Sequence, residues 1–271
     1  MAYTMSCDEQ LGASLSRLKY QLAGDFRPLG AVGQADTLGL DVSYPLRRTA
    51  DNTVTLRAGY DHKRLRDELQ LLGVSTSKRN DTADLGASFD YRDTWGGLSA
   101  GSATVTVGQL RVAGGASQEW RKLDLQAARQ QTIAGPLSLY MRMAAQRSGS
   151  TLDSSEKLGL GGAGAVRAYA PGEVAVDYGG LASLELRYAL DFVGGNLMGS
   201  LFHDYGGGQI NRGQAGLPGN DPEINGTGLG LSWSRGGMGL VASVAWRGKR
   251  PPTTDSSDPK PRLYLQMFIT P

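Results

Sequence analysis

From about Gly12 to Ile269 the chain repeats one pattern, in which apolar and polar residues take alternate positions through segment after segment. Leu18, Tyr20 and Leu22 alternate with Arg17, Lys19 and Gln21; Leu38, Leu40, Val42, Tyr44 and Leu46 alternate with Gly39, Asp41, Ser43 and Pro45. Further segments follow at Val54–Asp61, Leu85–Arg92, Ala103–Val107, Leu123–Ala127, Leu137–Met143, Leu184–Leu190, Leu197–Leu201, Leu229–Trp233, Met238–Trp246 and Leu263–Ile269. A side-chain period of two belongs to the β-strand, which sends successive residues to opposite faces. The pattern predicts an all-β chain of about twelve antiparallel strands, with Leu18, Leu40, Leu56, Phe89, Leu125, Leu139, Leu186 and Leu240 on one outer face.

The other face decides what kind of sheet this is. It carries Arg17, Lys19, Asp41, Arg57, Asp61, Asp90, Arg92, Lys122, Asp124, Arg142, Glu185 and Arg187 in mid-strand, and such charges do not fill a dry core. An apolar outside around a polar inside is the arrangement of a transmembrane β-barrel, with Tyr44, Tyr60, Trp95, Tyr188, Trp233 and Trp246 suited to aromatic girdles at the membrane interfaces. The mean hydropathy of -0.29 agrees, because only alternate residues face lipid. No run approaches the ~18 apolar residues of a spanning helix. A large soluble sheet with one solvated face is the alternative that alternation alone leaves open.

Connections divide into short ones, Arg48–Asn52 and Trp95–Gly97, and long polar or glycine-rich ones, Glu68–Asp81, Ser148–Gly180, Gly207–Glu223 and Gly248–Pro261. Short periplasmic turns alternating with long outer loops fit a barrel. Pro45 cannot donate to a ladder and is expected at a strand end or bulge. Cys7 is the only cysteine, which excludes an internal disulfide and a cysteine-built zinc site. A net charge of +2 argues against nucleic acid as a partner. The opening MAYTMSCDEQ has neither the basic nor the apolar region of a signal peptide, so a fragment is expected.

Two stretches stand apart. Leu158–Gly172, LGLGGAGAVRAYAPG, is too glycine-rich for a core strand and too apolar for a solvated linker, and it sets Arg167 between Val166 and Tyr169. Phe202–Gly206, FHDYG, puts Asp204 on a strand segment. If Leu197 and Leu201 face lipid, parity turns Phe202, Asp204 and Gly206 inward and His203 outward. A carboxylate facing lipid would be costly; this one is expected to face a partner cation. No phosphate-binding GxxxxGK[ST] occurs, and His62 and His203 stand on different segments with no nucleophile motif beside them. Both histidines are expected to be structural, and the protein is not expected to be an enzyme.

Val166-Arg167-Ala168-Tyr169 with Gly172, and Phe202-x-Asp204-x-Gly206, resemble the sixth-loop VRGY and strand FxDxG signatures of the outer-membrane polypeptide-transport barrels, most closely the haemolysin secretion/activation (ShlB/FhaC/HecB) proteins. Ala168 stands where the family has glycine. The resemblance implies a lumen-inserted loop whose Arg167 pairs with Asp204, export of a large secreted partner such as a haemolysin or adhesin by two-partner secretion, no cofactor and no metal, and location in the bacterial outer membrane. Lipid and the barrel-assembly machinery are the other implied partners. A barrel-assembly insertase of the same superfamily and a passive porin are the alternative functions. The complete family proteins have a signal peptide, periplasmic domains and a barrel of about sixteen strands, so residues 1–271 are expected to be one transmembrane β-barrel domain lacking those modules and the first strands. Phe268 is followed by Ile269-Thr270-Pro271, unlike the terminal aromatic usual in such barrels.

Overall fold

A computed structural model describes residues 9–21, 30–190, 194–213, 216–254 and 259–270; Cys7 and Pro271 lie outside them. The strands are β1 (Gln10–Gln21), β2 (Ala31–Arg48), β3 (Asn52–Leu69), β4 (Val74–Arg92), β5 (Gly97–Val112), β6 (Ser117–Ala134), β7 (Leu137–Ser148), β8 (Leu158–Gly159), β9 (Ala175–Val176), β10 (Tyr178–Leu190), β11 (Asn196–Gln209), β12 (Glu223–Arg235), β13 (Met238–Arg247) and β14 (Arg262–Ile269). Twelve of them form one sheet in chain order, and β8 and β9 form a small ribbon within the long connection from β7 to β10. Among the described residues no helix is long and apolar enough to cross a membrane; the apolar surface is carried by strands.

The chain divides into two compact units, Met1–Tyr91 with Gly101–Asp124, and Arg92–Ala100 with Leu125–Pro271. In the first, the ladder sets Leu38 opposite Leu15 and His62, and Leu40 opposite Ala13 and Tyr60, while Leu56 lies opposite Ala87. Leu40, Leu56 and Phe89 are exposed on this apolar face. Arg57 lies on the other face and bonds Asp84 at 3.1 Å, with Asp41 at 3.7 Å. Trp120 is buried on that polar side, its Nε1 donating to Asn80 at 3.2 Å.

Leu18 departs from the expected face. In β1 the register puts Leu11 opposite Val42 and Leu15 opposite Leu38, so Leu18 falls opposite Ala35 on the polar side, and Arg17 and Lys19 turn to the apolar side. Two competing phases, Leu11/Leu15 and Leu18/Tyr20, run through this strand. Pairing with β2 satisfies the first, and Tyr20 gains a 2.7 Å hydrogen bond to Asp67 in return. A second correction concerns Glu68–Asp81. Ladder pairing continues to Leu69↔Val74, leaving a tight turn at Gln70–Gly73 in place of a long loop. Beyond the apolar band both strand faces are polar, so alternation stops while hydrogen bonding does not. Pro45 lies at a bulge, where the register to β3 shifts between Pro45 and Arg47.

In the second unit, Leu139 pairs with Leu186, Leu186 with Leu201, Leu201 with Leu229, and Leu229 with Val244, giving one continuous apolar face. Arg142, Ser183, Glu185, Phe202 and Asp204 share the opposite, inner face. Packed on that inner face is a cluster of Leu160, Val166, Tyr169, Val174, Val176, Phe202 and Ile224, each at most 4% exposed. Here the inner face is dry because residues 158–177 fold onto it.

Candidate functional site: an inserted loop on the inner face

The loop's shape follows from its small residues. Its base is closed by β8 and β9, with Leu158 opposite Val176 and Gly159 opposite Ala175. Gly162 has φ +116, a left-handed conformation glycine tolerates, and its N–H bonds the carbonyls of Val166 and Tyr169. Any side chain at Gly161 would collide with the carbonyl of Ala170. The result is a tight tip that buries Val166 and Tyr169 on either side of Arg167.

Arg167 meets Asp204 through three donors: its backbone N–H at 3.1 Å and Nε at 2.8 Å to Oδ2, and Nη2 at 2.7 Å to Oδ1. The two guanidinium contacts form a bidentate fork, the geometry in which arginine surpasses lysine. Nη1 lies 2.8 Å from Glu185 Oε1, and Nη2 donates to Ser183 Oγ at 3.0 Å. Ser183 in turn donates to Asp204 Oδ1 at 2.7 Å. Beneath the fork, the Phe202 ring centroid is 3.3 Å from the guanidinium carbon. Asp204 is fully buried, with a side-chain exposure of 1% against 13% for Arg167. Burial by itself would lower the Arg167 pKa, but the adjoining Asp204 and Glu185 carboxylates outweigh it and raise the value, keeping the cation charged. Glu185 is shared with Arg187, which bonds it at 2.7 Å and stacks over Tyr140 at 3.8 Å.

Two glycines of β12 make room for this packing. A side chain at Gly226 would run into the Ala168 methyl, and one at Gly228 into the Phe202 ring. Ala168 is therefore accommodated by a glycine on the facing strand. Gly206 sits under Val166, whose Cγ2 would lie 3.2 Å from an added Cβ. Gly172, at φ +82, forms the turn that returns the chain towards β9.

A second set of contacts ties the loop to the β13–β14 connection. Tyr169 donates to the Arg250 carbonyl at 2.8 Å, and Tyr264 donates to the Tyr169 carbonyl at 2.7 Å. Glu173 accepts from Thr253 N–H and Oγ1 and from Thr254 N–H and Oγ1. Burial tends to raise the Glu173 pKa, yet these donors outweigh it and hold the carboxyl below its ordinary value. At the loop base, the buried Asp177 accepts from Leu152 N–H at 3.0 Å and Arg212 N–H at 2.7 Å, with Lys157 Nζ at 3.3 Å.

The structure thus brings Val166, Arg167, Ala168 and Tyr169 against Phe202, Asp204 and Gly206, and leaves Gly172 at a turn beyond them. Sequence reasoning assigned no role to Ser183, Glu173, Tyr264 or Gly228, and the Asn225-Gly226 pair, which reads as a turn by composition, lies instead within β12, with Gly226 opposite Asp204. The glycines at 226, 228 and 230, alternating on one strand, were a readable sign of close approach. Glu173 and its threonines carry no such sign. His203 is exposed on the outer face, its Nδ1 2.8 Å from Thr227 Oγ1, and His62 Nδ1 lies 2.6 Å from Asp81. Among the described residues no group of three His, Cys, Asp or Glu could hold a metal ion.

An antiparallel sheet with an apolar outer face, a charged inner face and a loop pinned to that inner face defines an outer-membrane β-barrel protein. The profile of the family described as haemolysin secretion/activation protein ShlB/FhaC/HecB matches residues 9–233, and the chain belongs to that family. It is 26% identical over 252 residues to the heme/hemopexin transporter protein HuxB of Haemophilus influenzae strain 86-028NP, an alignment covering 87% of this chain and 45% of the relative. HuxB of strain KW20/Rd gives the same identity and coverage. The fold is similar to CdiB from Escherichia coli, with TM-score 0.80 at 20% identity over 96% of this chain and 50% of that one. CdiB from Acinetobacter baumannii gives 0.70 at 16% identity over 96% and 47%. The chain spans about half the length of these relatives.

Proposed function

We propose that this chain is the barrel portion of an outer-membrane translocator that exports a large secreted partner, of the haemolysin or adhesin kind, by two-partner secretion. In this reading residues 1–271 form one transmembrane domain, and the signal peptide, periplasmic domains and first strands belong to the remainder of a longer protein. Lipid surrounds the apolar face, the barrel-assembly machinery inserts the chain, and neither cofactor nor catalysis is involved. The observation that carries the proposal is the bidentate Arg167–Asp204 pair, held between an inserted loop and a strand in the motif positions of the family.

The inner face gives a translocating polypeptide a polar lining. Arg142 and Arg187 offer donors to an extended chain, whereas the loop covers Glu185 and occupies part of that face and must be held in, or released from, a defined position. Arg167 serves that positioning. The test is secretion of the cognate partner by the full-length protein: Arg167→Ala should reduce export severely while the barrel still inserts and remains heat-modifiable on gels. Normal export by this variant would refute the proposed role.

A further inference from the structure

The outer face of the first unit carries a row of cations that the export reading does not use. Register sets Arg17 opposite Asp36, Asp36 opposite Arg64, and Arg64 opposite Arg79. Ala113 N–H bonds the Ser77 carbonyl at 2.9 Å, which brings Arg111 opposite Arg79 on the neighbouring strand. The row therefore reads Arg-Asp-Arg-Arg-Arg across β1 to β5. Its single carboxylate, Asp36, is engaged by Arg17 at 2.5 Å. Asp81, two residues along β4 from Arg79, is bonded to His62 and Tyr60.

Arginines set directly opposite one another repel across a strand pair, and Arg64, Arg79 and Arg111 are all exposed. They occupy the same face as Leu15, Leu38, Leu40, Tyr60, Leu85 and Val107, exposed apolar residues from which the three arginines are separated by one polar row, His62, Asp81 and Gln109, to which Arg64 (through His62) and Arg111 (through Gln109) also bond. Asp36, Arg64, Arg66, Ser77, Arg79 and Arg111 line one open cleft at that boundary. Strand spacing places the three consecutive arginines over about 10 Å. A cationic cleft bordering a lipid-facing band fits a phosphate that is itself attached to acyl chains.

We propose that Arg64, Arg79 and Arg111 form a binding site for phosphate-bearing lipid headgroups, with acyl chains lying along the apolar band below. The proposal rests on the membrane reading of the strands, so the experiment separates the two. The purified full-length protein is mixed with phosphatidylcholine vesicles containing either bisphosphorylated lipid A or its dephosphorylated form. Co-flotation reports membrane integration, and native mass spectrometry of the re-extracted protein reports retained lipid. Integration into both vesicles with retention of the phosphorylated lipid only is the expected result. The triple variant Arg64→Gln/Arg79→Gln/Arg111→Gln should integrate equally but bind that lipid about a hundredfold more weakly, given the contribution of each surface cation. The triple lysine variant, which keeps the charges, should retain much of the binding and guards against a folding defect. Equal retention of both lipids, no effect of the glutamine variant, or full competition by millimolar inorganic phosphate would overturn the lipid site. Failure to integrate into either vesicle would overturn the membrane reading with it.

Discussion

Replacing Arg167 with alanine removes the fork to Asp204, the contact to Glu185 and the stacking on Phe202 at once. Breaking a buried ion pair by deleting one partner costs roughly 3–5 kcal/mol, because the other charge is left without compensation. Here the lower end applies. Asp204 keeps the Ser183 hydroxyl and the backbone N–H of residue 167, and Glu185 keeps Arg187. A loss of about 3 kcal/mol is thus expected for Arg167→Ala, and somewhat less for Arg167→Lys, which retains charge but loses the fork. The assay is a double-mutant cycle on the full-length protein with Arg167→Ala, Asp204→Ala and the combination, read by urea unfolding from the membrane. Residues in direct contact within one network couple by about 0.5–3 kcal/mol, and this pair should lie near the top of that range. The charge-swapped Arg167→Asp/Asp204→Arg protein should recover part of the loss. Strictly additive single-mutant losses would refute the reasoning and leave Arg167 as an ordinary loop residue.

Gly226→Ala should displace the loop tip, at a cost of about 1–3 kcal/mol as for other overpacked sites, and Ala168→Gly in the same protein should restore stability by removing the opposing methyl; protease protection of the loop measures both. Gly228→Val should collide with both the Val244 carbonyl and the Phe202 ring, loosening the β12–β13 pairing and expelling the ring, visible as increased protease cleavage around residues 202–206 and 244. The Glu173 carboxyl is held below its ordinary pKa, so its contribution is fully present above the ordinary glutamate value and is lost as the pH falls through the lowered one. The protection factors for hydrogen exchange at Thr253 and Thr254, corrected for the intrinsic pH dependence of exchange, should fall over that acid window, and in Glu173→Gln they should be low already at neutral pH and change little on acidification.

The sequence by itself determined the strand architecture, because a period of two in hydrophobicity has one structural solution and lipid on one side enforces it strand by strand. It also placed Asp204 on the inner face, since parity with Leu201 leaves no other choice once Leu201 faces lipid. The pattern lost its authority where the lipid ends. At Leu18 two phases compete, and at Glu68–Asp81 polar residues occupy both faces; pairing with the neighbouring strand decided each case. Only the tertiary structure decided how the loop is held. Ser183, Glu185, Gly226 and Thr253 lie far from Arg167 and Glu173 along the chain, and their chemistry as isolated residues is that of any strand or turn. Their roles arise when a loop folds back over the inner face of several strands, which excludes water from Asp204 and gives each polar group one geometry in which its hydrogen bonds are satisfied.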